Sequence, residues 1–482
     1  SSTRSIAAVN FLRLTPILAW SRSSALDWSL PITNAVSSKS FSRIESIIEF
    51  DAKTRLPMRG GQDIHDLPRS SNPNIKSYEK IAPKTLRVHL TRDRKMTLGA
   101  YVVIRHQVYV YNAFTIHHCA RVVLRDVTIH HAPGMGLSAK RTEDVTLLRV
   151  RMVPRPRSGR VLSISSDGTH FSGCSGTIRI VDCTFQGMGD DATNIHGFYL
   201  NVVAEPKGRT VEAKCKKTWI WPPIVGDVME FTDPISLLPY ATGVVTAVEV
   251  DRPSRIHRVT FRDPLPERLK VGDFLANASH VPAAYVAGNT VLGNRARGFV
   301  IKTRNAVIEN NRLEGVSGAG IFVAVEGEHW RESIATRNVI VRNNLIRNCN
   351  GGPSRRWAAI CVFALSEGHR QGAVGVHRGL LIQGNRIEGT DNAGIFLAAA
   401  DGVRIEGNRI VNCSRKPTRL GGNSAIYLMN CRNVVIKGNS LKRPGPGLRK
   451  PLVFGANVDA DTITVEGNSG FGPQGKTGTS DQ

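Results

Sequence analysis

No two cysteines in this chain are spaced as CxxC, which removes zinc ribbons and thioredoxin-type redox sites from consideration. No run of about 18 apolar residues occurs, so no transmembrane helix is expected. Aromatic residues make up only 6% and are not interleaved with basic runs. A nucleic-acid surface is therefore not indicated, despite the positive charge. Acidic residues are also scarce: 39 Asp and Glu face 64 Lys and Arg, for a formal charge of +25. A surplus of that kind reads first as solvated Arg-rich surface and second as attraction for an anionic partner such as an acidic glycan. Stretches of helical periodicity are missing as well. The eight cysteines tend to follow Asn or precede a turn residue, as in Asn348-Cys349, Asn412-Cys413 and Asn430-Cys431. They are expected to be small apolar fillers inside a repeat.

What is present is repetition. From residue 285 onward a degenerate cassette, apolar-x-x-Asn-x-apolar, recurs around Asn289, Asn311, Asn344, Asn385, Asn408, Asn439 and Asn468. Its shortest spacings, 22 and 23 residues, are those of a solenoid, with Asn stacked at each corner to satisfy turn backbone groups. The L-x-x-L-x-L framework of leucine-rich repeats is absent. Short β-branched strands without intervening helices predict an all-β right-handed parallel β-helix. The cassette stops between Asn201 and Ala278, where longer strands such as GVVTAVEV and two Val-Gly-Asp turns predict a small inserted antiparallel β-barrel. The expected organisation is a poorly defined lead-in over 1–77, the first part of the β-helix over 78–200, the barrel over 201–278, the second part of the β-helix over 279–470 and a flexible tail over 471–482. Within the lead-in, Phe11 to Trp20 is too short and interrupted for a clear signal segment.

The stretch Val161 to Gly197 concentrates the chemistry. Asp167 stands in an Asp-Gly step, a turn dipeptide, and lies 23 residues before Asp190 and 24 before Asp191. With one coil of about that length, these acids fall on successive coils roughly 4.8 Å apart. One acid facing a pair of acids is the minimum equipment for breaking a glycosidic bond. Adjacent carboxylates also repel, raising one pKa and helping to hold a water. His170, Asn194 and His196 lie beside the acids and are expected to bind sugar hydroxyls or orient the carboxyls. Arg297, Trp330 and Glu332 are expected substrate contacts, through a bidentate clamp and a flat apolar face.

The sequence DGTHFSGCSGTIRIVDCTFQGMGDDATNIHG, followed by NRARGFVIKT and EHWRES, resembles glycoside hydrolase family 110, the α-1,3-galactosidases. The resemblance runs over roughly Leu86 to Gly470. It implies a β-helix with an inserted barrel and inverting hydrolysis of terminal α-1,3-linked galactose. Asp167 would be the general acid, and Asp190 with Asp191 the pair that activates water. It also implies a secreted or periplasmic glycosidase acting on a glycan with terminal α-galactose, with no cofactor, no metal, no nucleic-acid partner and no membrane span. A homo-oligomer stays open. Three other readings remain beside it: a polygalacturonase-like hydrolase, a calcium-dependent polysaccharide lyase with the acids as ligands, and a glycan-binding β-helix without catalysis.

Overall fold

The computed structural model describes residues 44–65, 74–82, 85–106, 108–215, 220–352, 358–417 and 422–472, with the backbone of two short strands, Ser21–Arg22 and Asp27–Pro31. From Phe114 to Glu466 the chain winds as a parallel β-helix with three ladders of strands. One ladder stacks Phe114–His117, Leu137–Lys140, Thr169–Ser172 and Thr193–Val202, then continues through Phe299–Ile301, Ile321–Glu326 and Ile360–Ser366. A second runs from Ala120–Arg125 through Glu143–Leu148, Ser175–Val181 and Ala283–Ala287 to Ile463–Glu466. The third is made of two- and three-residue strands from Thr128–Ile129 to Ser440–Lys442. Inward-facing Val, Ile, Leu and Phe of all three ladders form one continuous buried core, as strand alternation requires.

Each coil turns its second corner in the same way. The residue before the cassette asparagine takes a left-handed backbone: Gly288, Asn310, Asn343, Gly384, Gly407, Gly438 and Gly467 all have φ between 53° and 68°. Glycine and asparagine are the residues that tolerate this region. The asparagine that follows is buried and joins the next coil twice. Asn385 donates its backbone N–H to Asn408 Oδ1 at 3.0 Å and its Nδ2 to the same oxygen at 2.9 Å, while Nδ2 also reaches Val341 O. The pattern repeats from Asn289 to Asn468.

The strand Thr193–Val202 leaves the β-helix and enters the insertion. There it pairs antiparallel with Thr210–Lys214 and Phe274–Asn277. The circuit closes through Ile256–Phe261, Pro239–Asp251 and Val228–Thr232, giving a six-stranded antiparallel barrel around its own core of Val211, Phe231, Val259 and Phe261.

Two expectations change. Ile75–Ala82 pairs antiparallel with Thr85–Leu90, and Tyr101–Arg105 pairs antiparallel with Ser46–Phe50, so the parallel coils begin at Phe114 and not at residue 78. Alternation places side chains on two faces whatever the direction of the neighbouring strand, so it could not tell these sheets apart. Residues 44–65 also belong to the folded body. Ser46–Phe50 is wholly buried, and Arg59 pairs with Asp391 at 2.5 Å. The rest of the expected lead-in, apart from the two strands and 74–77, and residues 473–482 of the expected tail, lie outside the described residues. Seven of the eight cysteines are buried and Cys119 is exposed.

Candidate active site

Asp167 and Asp191 close consecutive coils just before the strands Thr169–Ser172 and Thr193–Val202, which pair in parallel register. Gly168 is required beside Asp167 for space: a Cβ there would lie 2.6 Å from Ala192 O and 2.8 Å from the Phe185 ring. It is not a left-handed turn glycine, since its φ is not positive. The coils are pressed together at this point, and the Asp191 N–H reaches Asp167 Oδ1 at 3.3 Å. The three acids Asp167, Asp190 and Asp191 bring their nearest oxygens within 4.8 Å of one another. That approach fits acids carried on neighbouring coils.

Each carboxyl has a different environment. Asp191 receives a bidentate clamp from Arg297, Nε to Oδ1 and a terminal nitrogen to Oδ2, both at 2.8 Å, plus the Arg297 backbone N–H at 3.0 Å. Burial nevertheless pushes Asp191 up to about 7, with Arg297 working against it and the two neighbouring acids adding to the rise. Burial also works to raise Asp190. Arg295, Arg297 and the Tyr109 hydroxyl outweigh it and hold Asp190 below the usual carboxylate range. Asp167 is raised, chiefly by burial. Its hydrogen bond from His170 pulls the other way, and the negative charge of Asp190 adds to the rise. Environments that push neighbouring carboxyls apart in this way separate an acid from a base.

Behind Asp167 runs a line of five further groups. His170 Nδ1 lies 2.6 Å from Asp167 Oδ2, His170 Nε2 lies 2.8 Å from His196 Nε2, and His196 Nδ1 lies 2.6 Å from Gly197 O. Glu332 Oε1 sits 3.6 Å from His196 Nε2, and its other oxygen pairs with Lys302. Gly197 permits this. The strand Glu332–Ser333 pairs directly with it, and a Cβ on Gly197 would meet Ser333 Oγ at 2.6 Å. Burial works to raise Glu332, but His196, Lys302 and His170 together hold it far below the carboxylate range.

Of the nine residues singled out from sequence, eight are gathered here. Asn194 is in register with His170 on the next coil, and its Oδ1 is buried with no hydrogen-bond partner among the described residues. Trp330 is half exposed. Its ring packs against His329, and its backbone N–H donates to the Glu326 carboxylate. Four partners were missed. Tyr109, Arg295, Asp63 and Arg105 wrap the acids from outside, with Arg295 Nε on Asp63 Oδ2 at 2.8 Å and Arg105 on Ser165 O and Gly189 O at 2.6 and 2.9 Å. Arg295 had a signal, lying two residues before Arg297. The others lie on non-repeating strands or loops that carry none.

His170, His196 and Glu332 likewise bring three donor atoms within 4.8 Å. In both groups a cation already neutralises the carboxylates, Arg297 and Arg295 in one and Lys302 in the other. Another cation would have to displace these pairs.

Residues 274–469 match the family model described as right handed beta helix region. The chain is 27% identical over 376 residues to alpha-1,3-galactosidase A of Bacteroides fragilis, covering 76% of this chain and 61% of that protein. It is 26% identical to alpha-1,3-galactosidase A of Shewanella woodyi, covering 82% and 64%. It is 27% identical to alpha-1,3-galactosidase B of Akkermansia muciniphila, covering 73% and 45%. The chain thus spans less than two thirds of the length of these curated relatives. Their names agree with the resemblance drawn from the acid-bearing stretch.

Proposed function

We propose that this chain is an inverting glycoside hydrolase that releases terminal α-1,3-linked galactose from glycans. The observation that carries the reading is the unequal acid trio: Asp167 and Asp191 are raised, while Asp190 is held below the usual carboxylate range by Arg295, Arg297 and Tyr109. Cleavage of a glycosidic bond needs one carboxyl that keeps its proton and another that does not. Asp167 protonates the leaving oxygen. Asp190 and Asp191, two carboxyls restrained by guanidinium groups, hold the attacking water. Sugar and linkage come from the names of the relatives.

Asn194 supports a sugar subsite at this point. A buried, unpartnered acceptor costs about 1–3 kcal/mol, and a sugar hydroxyl would fill it. Arg297 lies 5.5 Å over the Phe322 ring, and half-exposed Trp330 offers a flat apolar face. A glycan of this kind is met outside the cytoplasm, so a secreted or periplasmic location is part of the proposal, checked by fractionation.

The direct test is galactose release from α-1,3-, α-1,4- and α-1,6-linked disaccharides, followed by proton NMR. The α-1,3 substrate should be preferred, and β-galactose should appear first. Initial α-galactose would overturn inversion. Exhaustive chelation should leave the rate unchanged, because carboxylate hydrolysis needs no metal. Loss restored by calcium would move the reading to a lyase.

A further inference from the structure

The line from Asp167 to His196 has a fixed proton inventory. His196 Nδ1 faces the Gly197 carbonyl at 2.6 Å. A carbonyl only accepts, so this nitrogen carries a hydrogen. The two Nε2 atoms of His196 and His170 are 2.8 Å apart and share a hydrogen bond only if one is protonated. His170 Nδ1 and Asp167 Oδ2, at 2.6 Å, need one more hydrogen. Three hydrogen bonds therefore need three hydrogens. Two neutral imidazoles bring two, and the third is an additional proton wherever along the line it resides.

We propose that Asp167, His170 and His196 act as one proton store, in which His170 positions Asp167 and supplies the proton that Asp167 delivers to the leaving oxygen. This rests on the hydrolase reading above. Of the two expectations for His170 and His196, it selects service to the acid over contact with sugar hydroxyls. Burial depresses His196 to about 3, which makes its Nε2 the acceptor and puts the hydrogen on His170 Nε2. Burial opposes charge on His170 too, but Asp167, Glu332 and Asp191 outweigh it and raise His170. The charged groups around the store are Asp190, Asp191 and Arg297 on one side and Glu332 with Lys302 on the other. Glu332 and Lys302 form a neutral end that tolerates the extra proton.

The step balances. The stored proton goes to the glycosidic oxygen as the anomeric C–O bond breaks. The attacking water forms the new C–O bond and gives its proton to the Asp190 and Asp191 pair. The store is then one hydrogen short, and the proton on the pair returns to it through solvent as product leaves. The sum is one water added across the bond.

The test has one readout independent of turnover. In 15N-labelled protein, wild type should show a strongly deshielded proton bonded to an imidazole nitrogen, lost in both Asp167→Asn and His170→Gln. Kinetically, His170→Gln should lower kcat on a disaccharide by about 10²-fold, with KM little changed and a galactoside of an acidic phenol affected less than about tenfold. If His170→Gln does not fold, His196→Gln should show the same leaving-group pattern. A raised KM with kcat retained on both substrates would assign His170 to sugar binding and overturn the store, as would absence of the resonance. Wild type showing the resonance but inactive on every α-galactoside would leave the store standing and sink the galactosidase reading instead.

Discussion

At the corner after the second ladder, the coils from Asn289 onward carry asparagine, whereas the earlier coils carry Val127, Val150 and Cys183 in the same place. The later coils use their buried polar groups on one another, each amide closing the next turn. The earlier coils keep theirs for the loops that lead into the first ladder, where Asp167, Asp190 and Asp191 gather with arginine and histidine. Cys183 stands between the two regimes. Its sulfur accepts the Val150 N–H at 3.4 Å, and its own N–H reaches Asn289 Oδ1 at 2.8 Å. One part of the solenoid is arranged for satisfaction of its hydrogen bonds and the other for unbalanced charge. Strain at functional sites is commonly held by better-satisfied surroundings.

The sharpest way to separate the two is to remove charge from the early coils. Asp190→Asn and Asp191→Asn should each lower turnover about 10²–10⁴-fold on disaccharide and aryl galactoside alike. Asp167→Asn should fail on the disaccharide and keep far more activity on the aryl substrate, since an acidic phenol leaves without protonation. Thermal melts of all three should show that the fold survives.

In the late coils the effect should reverse. Asn385→Ala removes the acceptor of two Asn344 donors and leaves Val341 O and Asn408 Oδ1 without their amide partner. A loss of about 3 kcal/mol or more is expected in denaturant titration, with unchanged kcat per folded molecule. A large drop in kcat at full stability would erase the distinction.

Acidity tests the same contrast, since asparagines do not titrate. Asp191, raised to about 7, and Asp167, also raised, bind protons more readily folded than unfolded. Their contribution therefore grows as pH falls from 8 toward 5 and fades as pH rises through the folded values. Glu332 and Asp190 are depressed. Their contribution is present above the ordinary carboxylate range and is lost as pH falls through the folded values. Buried His65, His131, His196 and His377 are depressed and act in the opposite direction, losing their contribution as pH falls below the ordinary imidazole range. The contrast is therefore read as a difference between proteins: Asp191→Asn should gain stability relative to wild type in thermal melts as pH rises from 5 to 8, and a difference that does not change with pH would contradict this.

The smallest effect expected is a gain. Cys183→Asn would extend the ladder by one coil, with Val150 N–H as donor to its oxygen and Leu147 O near its amide. About 1 kcal/mol of added stability should follow. A loss would mean that the early corner differs in shape as well as in residue.

The coil period and the stacked asparagines were legible because they repeat, and the acids were legible because their spacing of 23 to 24 residues matches one coil. Asp63 and Arg105 were not. Asp63 reaches Arg295 across 232 residues of chain and Arg105 reaches Gly189 across 84, from antiparallel strands whose alternation says nothing about what they cover.

The asparagines of the ladder are 22, 33, 41, 23, 31 and 29 residues apart, yet each meets the next through the same hydrogen bonds. Whatever length a coil gains elsewhere is cancelled by the time the chain returns to that corner. The corner thus works as a registration mark, and insertions on the far side of one coil do not propagate to its neighbours. Loops on one coil can be lengthened, exchanged or grafted one at a time while the framework keeps its count.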